Sequence, residues 1–437
     1  MLKAGFARVD ITPPLGTTLA GYFEMRYADN ILDPLYATAV AFDDGEKRAV
    51  IISIDNLGIV ESMMDKYRAE ISKVCEMKRE GVFLACTHTH LAPRMGVWNE
   101  DTVFEPEYAD FLGKQLCTAA RLAFLDLAPA VLSYTRGEVK DVSFIRRYRM
   151  RDGSARTNPG WQNPDIVATI GRADETAQLL VIEREGKPEI GIVNFQVHPD
   201  VIGGCGVSAD YPKFVRDTYE KLIDNSLCMF INGAQGDSNH FDLTLGEDKC
   251  RGGYDRARYM GRKIAMAAVS NYELREKLEG DKISFAQKNV VVKYNRGTPE
   301  EIPEAKRIID EYNRTYDAES IPGIAGNPRW AVAKAGRIMA IEALGEERKL
   351  PVSAICIGDA AFAGFPGEPF TEAGFIVKEK SRFALTIPAC CANGFEGYYP
   401  TETAYDEEGY EASAARYEKG TAEKLANELA NLINTFK

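Results

Sequence analysis

Short apolar runs recur along this chain, each too short for a buried helix and most followed by a segment with helical spacing. RAVIISI (48–54) and GVFLAC (81–86) bracket an amphipathic stretch near 61–77. A second helical stretch covers 105–126, with apolar spacing around Phe111, Leu112, Leu116 and Ala120. AQLLVIE (177–183) and IGIVNFQV (190–197) are two strands split by EGKPE, which has hairpin-turn composition. A helix at 211–224, the strand SLCMFING (226–233) and a helix at 253–270 follow. Such alternation restricts the chain to an α/β fold: a large mixed or parallel sheet with helices on both faces. Beyond 280, the strand-like DKISFAQKNVVVKY leads into two helical segments near 298–315 and 328–345, read as a small helical insertion. Strands are expected at 351–358, 360–365 and 383–388, and helices near 368–380 and 411–435. Without a repeat, a low-complexity tract or an evident linker, residues 1–437 read as a single domain.

Composition narrows the function classes. Apolar residues make up 45% and charged residues 27%, ordinary for a globular protein. A net charge of −12 provides no positive field for nucleic acid or for an anionic membrane surface. No stretch approaches the ~20 apolar residues of a membrane span. The opening MLKAGFARVDITPP lacks the apolar run of a signal peptide. Nine cysteines, without paired CxxC spacing, read as reduced thiols. The expectation is a cytoplasmic protein acting on a small molecule, with its oligomeric state open.

The chain has only four histidines. Two stand in CTHTHLAP (86–93), at the carboxyl end of a predicted strand, where open α/β sheets bind ligands. In an extended segment His88 and His90 would project from one face. His198 follows IGIVNFQV in the same way, and His240 lies just past SLCMFING in GAQGDSNHFD. One strand-end histidine commonly caps backbone groups. Four together favour metal binding or catalysis, because imidazole is the commonest transition-metal ligand and general base. A catalytic zinc site also calls for a third protein ligand. FPGEPFTEAG (365–374) offers Glu368 at another strand end, although an acid there equally suits a helix N-terminus.

Together these segments resemble the neutral ceramidase family of zinc-dependent amidases. The resemblance runs in order through GFARVDITPPLG (5–16), CTHTHLAP, FIRRY (144–148), NFQVHP, NGAQGDSN, FPGEPFTEAG and GYYPTETAYDEEGYEAS (397–413). It implies a zinc ion held by His88, His198, Glu368 and Tyr398. It implies that Tyr410 polarises the scissile carbonyl, that His90 hydrogen-bonds the reacting group, and that Arg146, or its neighbour Arg147, lies near the substrate. The implied chemistry is coherent: zinc lowers the pKa of bound water toward ~7, and a tyrosine and an arginine can steady an oxyanion.

Two departures bear on substrate and mechanism. The family's serine sits in a GDVSPN-type turn, whereas this chain has Gly236-Asp237-Ser238-Asn239-His240. Aligned without a gap, Asn239 replaces the serine; a one-residue deletion restores Ser238, whose hydroxyl could equally bond its own turn. The loops beyond the motifs are polar, and they carry Trp98 and Trp161, which would suit a hydroxylated substrate or simply anchor the loops. The family's membrane-anchoring region and C-terminal β domain are not expected here. Candidate substrate contacts are Arg147, Asn239, His240, Trp98 and Trp161. The expected activity is zinc-dependent hydrolysis of a linear amide in a small polar or N-acyl substrate. Its competitors are a metal-dependent esterase, a lyase or isomerase on a sugar-like acid, a true ceramidase, and a non-catalytic metal- or ligand-binding homologue.

Overall fold

The computed structural model describes residues 1–96, 105–247, 251–324, 326–407 and 409–437. Among these, nine strands form a large mixed sheet. Its path runs Ser226–Asn232, Glu189–Phe195, Thr176–Arg184, Ala128–Glu138, Lys3–Asp10, Tyr36–Asp43, Arg48–Ile54, Val82–Cys86, and Glu276–Lys277 pairs with Ala128–Glu138 off this path. The expected hairpin is present, with Leu180 opposite Ile192. Parallel pairing is confined to Arg48–Ile54 with Val82–Cys86 and Glu189–Phe195 with Ser226–Asn232; the other pairs are antiparallel.

The helices do not cover both faces of this sheet. Alternate residues send Ala39, Ile52 and Leu84 outward against the helices Glu61–Val74 and Pro106–Leu125. Leu179, Val193 and Phe230 face outward against Tyr211–Leu222 and Tyr254–Ala268. The opposite face meets a second, four-stranded sheet, in the order Ile283–Lys293, Glu347–Ile357, Ala360–Gly364, Leu385–Ala389. Phe42, Ile51, Phe83, Ile182 and Ile192 of one sheet pack there against Ile355, Phe362 and Ile387 of the other. The second sheet's outer face is covered by Thr371–Lys380 and Thr421–Asn434. An apolar run buried on both faces reads the same whether its partner is a helix or a sheet, so the alternation leaves this layering undetermined.

The large sheet also curls until its edges meet. Ser53 donates to the Phe230 carbonyl at 2.6 Å, and the Asn232 amide donates to the Thr87 carbonyl at 3.0 Å. Cys390 N–H reaches the Asn232 carbonyl at 3.1 Å and Cys86 N–H reaches that of Cys391 at 3.3 Å. The carboxyl ends of strands from both sheets therefore converge on one spot.

Three expected boundaries shift. The helix expected from 368 begins at Thr371, because Glu368–Pro369 instead pairs as a two-residue strand with Tyr398–Tyr399. The terminal helix divides into Tyr410–Ala414 and Thr421–Asn434. Tyr417 bridges to Tyr294 between them, and Gly420 takes φ +85°. The helical pair is Ile302–Thr315 and Pro328–Glu342, packed around Ile308, Val332 and Ile338.

Phe362 is fully buried between the sheets, 6.5 Å from Phe83 ring to ring. Phe362→Ala is expected to lower unfolding free energy by roughly 3–5 kcal/mol, measured by urea denaturation.

Candidate metal centre

Strand Val82–Cys86 ends before the first histidine, and the chain then leaves the extended conformation: His88 has φ +74°. The expected alternation of His88 and His90 along a continuing strand is not what brings them together. His88 N–H donates to the Asn56 carbonyl at 2.8 Å, and its Nδ1 meets the Leu57 carbonyl at 2.7 Å. Nδ1 is thus the protonated nitrogen, and the Nε2 lone pair is left for a ligand. His198 stands three residues past Glu189–Phe195 and brings its Nε2 to 3.2 Å from that of His88.

Glu368 stands four residues past Ala360–Gly364 of the second sheet, with Oε2 at 3.1 Å from His88 Nε2 and 3.8 Å from His198 Nε2. Glu368 N–H donates to the Gly397 carbonyl, and residue 368 pairs with 398 in parallel register, which puts Glu368 and Tyr398 side by side. Gln235, in the loop after Ser226–Asn232, donates to Glu368 Oε2 at 3.3 Å.

His90 completes a group of three buried imidazoles whose ligand atoms lie within 4.8 Å of one another. Among the described residues, neither of its ring nitrogens has a hydrogen-bond partner. Its Nδ1 faces Asp200 Oδ1 at 3.8 Å, and Tyr22 hydrogen-bonds that same oxygen. The segment carrying Tyr22 runs directly over the ring: a Cβ on Gly21 (φ +101°) would come within 2.4 Å of His90 Nδ1.

These donors suit a cation. Two ligands about 2.0–2.1 Å from one tetrahedral ion stand about 3.3 Å apart, close to the spacings among His88, His198 and Glu368. Burial lowers His88, but the Glu368 carboxylate outweighs it and raises the pKa. His90 and His198 are pushed well below the usual histidine range, by burial first and then by neighbouring cations, so their lone pairs are free. Burial, followed by Glu368, pushes the Tyr398 phenol well up, so coordination as a phenolate would need the field of a metal.

Arg146 is buried beside this group. Its Nε donates to Glu411 at 2.6 Å, a terminal nitrogen donates to the Gly236 carbonyl at 2.7 Å, and the guanidinium lies 5.3 Å from the Tyr398 ring centre. Burial opposes its charge, but Tyr398 and Glu411 hold its pKa above the ordinary arginine value. Tyr410 is half-buried, its ring 5.8 Å from Tyr398 and 6.4 Å from both Phe23 and Trp330.

The remaining candidates are engaged elsewhere. Ser238 is buried and its hydroxyl donates to the Gln235 carbonyl, within its own turn. Asn239 donates to Asn158 at 2.7 Å. Arg147 pairs with Glu407 at 3.1 Å. The His240 ring packs edge-on to Phe241 and stands outside the three-histidine group. Trp161 packs on Phe241, in the small cluster with Tyr148, Met150 and Leu243. Trp98 lies outside the described residues. Gln235, Asp200, Tyr22 and Glu411 were missed from the sequence. Asp200 and Glu411 directly follow named motif residues, so adjacency was the available signal.

No family model matches the sequence, and no curated protein matches it. Among solved structures, the neutral ceramidase of Pseudomonas aeruginosa matches with a TM-score of 0.76 at 17% identity, over 100% of this chain and 74% of that one. A structure described as ceramidase complexed with C2 matches with a TM-score of 0.77 at 18% identity, over 100% and 75%. The chain has the fold of the bacterial neutral ceramidases over its whole length. Among the described residues, no helix is long and apolar enough to cross a membrane.

Two outcomes follow. His240 falls from 6.5 to about 3, through burial first and then Arg256. On acidification the unfolded chain binds this proton first, so stability is complete above pH 6.5 and is lost as pH falls toward about 3. In urea titrations, moving from pH 7.5 to 4.5 should cost wild type about 2–3 kcal/mol more than His240→Gln. Gly21→Ala should displace His90 and lower stability on the order of 1–3 kcal/mol, which for a chain of this length is a drop of about 1–3 degrees in the thermal midpoint by calorimetry.

Proposed function

We propose that this chain is a metal-dependent hydrolase cleaving a linear amide bond in a small polar or N-acyl substrate, with zinc held by His88, His198, Glu368 and Tyr398. The observation that carries the reading is the convergence of His88 Nε2, His198 Nε2 and Glu368 Oε2 within 3.8 Å, all buried. When bound, the zinc supplies a Lewis acid and makes a water nucleophilic near neutral pH.

The chain's own groups do the rest. His90 is neutral and stays off the metal. With Nδ1 toward Asp200, it receives a proton at Nε2 and passes it to the leaving amine. Tyr410 donates its hydroxyl to the oxygen that becomes negative, and Arg146, held by Glu411, supplies fixed positive charge beside it. The internal partners of Ser238 support a mechanism without a serine nucleophile. Arg147, Asn239, His240 and Trp161 have partners within the protein, so we assign substrate contact first to the half-buried Phe23, Trp330 and Tyr410. The altered turn around Ser238 also favours a second reading, ester hydrolysis or a lyase or isomerase step at the same centre.

Protein purified without added metal should hold close to one equivalent of transition metal. Less than about a tenth, with no activity on adding zinc, would sink the proposal. His88→Ala should lose the metal. His90→Ala should keep it and lose kcat by about 10²–10⁴-fold, read on a panel of N-acyl amines, esters and sugar acids.

A further inference from the structure

The two histidines proposed as ligands come from separate strands, yet one helix reaches the loops of both. His88 depends on the residues just after Arg48–Ile54: its amide is held by the Asn56 carbonyl and its Nδ1 by that of Leu57. Asp55 anchors that loop. It accepts Tyr36 N–H at 2.9 Å and takes both terminal nitrogens of Arg216 at 2.8 Å each, with Asp55 0% and Arg216 2% exposed. Arg216 belongs to the helix Tyr211–Leu222.

The same helix grips the other loop at its N-terminus. Asp210, its N-cap, accepts the N–H groups of Val201 and Ile202 at 3.0 Å each and that of Tyr211 at 2.6 Å. The Tyr211 hydroxyl donates to the Val197 carbonyl at 2.9 Å, so the backbone is held on both sides of His198. Asp210 and Arg216 are six residues apart, about 9 Å along a rigid helix. The side chains of Asp55, Asp210, Tyr211 and Arg216 are all buried and paired, and a lone partner would be an unpaired buried charge or polar atom.

We infer that the helix Tyr211–Leu222 sets the separation of His88 Nε2 and His198 Nε2, and that Asp210, Tyr211 and Arg216 are positioning residues for the metal. The inference rests on the proposal that His88 and His198 are ligands. Outer partners of this kind change metal affinity by about 10–100-fold when removed.

The test is a Co²⁺ titration of the metal-stripped, full-length protein, read by visible absorption, which reports both affinity and coordination geometry. Ile433→Ala, in the helix Thr421–Asn434 over the other sheet, serves as a control that destabilises without touching either loop. Arg216→Met should weaken Co²⁺ binding about 10–100-fold and shift the absorption bands, while Ile433→Ala leaves both unchanged. A folded Arg216→Met protein with wild-type affinity and spectrum overturns the inference, as does an equal loss in Ile433→Ala. Should Arg216→Met not fold, Tyr211→Phe, which removes one hydroxyl, decides: about threefold or more weaker binding supports positioning, and unchanged binding overturns it. Absence of Co²⁺ binding by wild type would instead refute the metal centre itself.

Discussion

Two imidazole lone pairs and a carboxylate oxygen are buried within 4 Å of one another, and bringing such acceptors together is unfavourable unless a cation or a shared proton lies between them. Much of the surrounding structure holds that arrangement in place. The curled sheet brings the end of Val82–Cys86 to the end of Ser226–Asn232, closed by the bond from Asn232 to Thr87. The segment after Ala360–Gly364 of the second sheet carries Glu368, and a two-residue parallel ladder sets Tyr398 beside it. His88 is held with φ at +74°, in the left-handed region that only a few per cent of non-glycine residues take.

The polar groups around the site are fixed in layers. Leu57 fixes the tautomer of His88, Gln235 holds Glu368, and Glu411 holds Arg146. His90 differs in degree: among the described residues both its nitrogens are unpartnered, whereas His198 lacks a partner only at Nδ1. An imidazole with neither nitrogen tied to the protein is free to take up and release a proton, which is the role proposed for it.

Elements were legible where local periodicity decides them. RAVIISI, GVFLAC and SLCMFING are strands, and the helices between them start and end within a few residues of the expected places. The meeting of His88, His198 and Glu368 was legible only through the order of motifs, since spacing along the chain says nothing about contacts between residues 88 and 368. The ladder joining 368 to 398 was hidden because an acid beside a helical pattern reads as a first-turn residue. Ser238 was ambiguous for a physical reason: a hydroxyl in a tight turn can bond its own backbone, and here it does. The helix Tyr211–Leu222 was visible as a helix, but its hold on two distant loops requires the fold.

The central claim is that the ion binds two histidines and Glu368, with His90 left uncoordinated. Diffraction from zinc-loaded crystals, with anomalous scattering at the zinc edge, tests it directly. The account predicts one strong peak about 2.0–2.2 Å from His88 Nε2, His198 Nε2 and a Glu368 oxygen, with His90 beyond bonding distance. A peak bonded to all three imidazoles with Glu368 free, or no peak between His88 and His198, would contradict it.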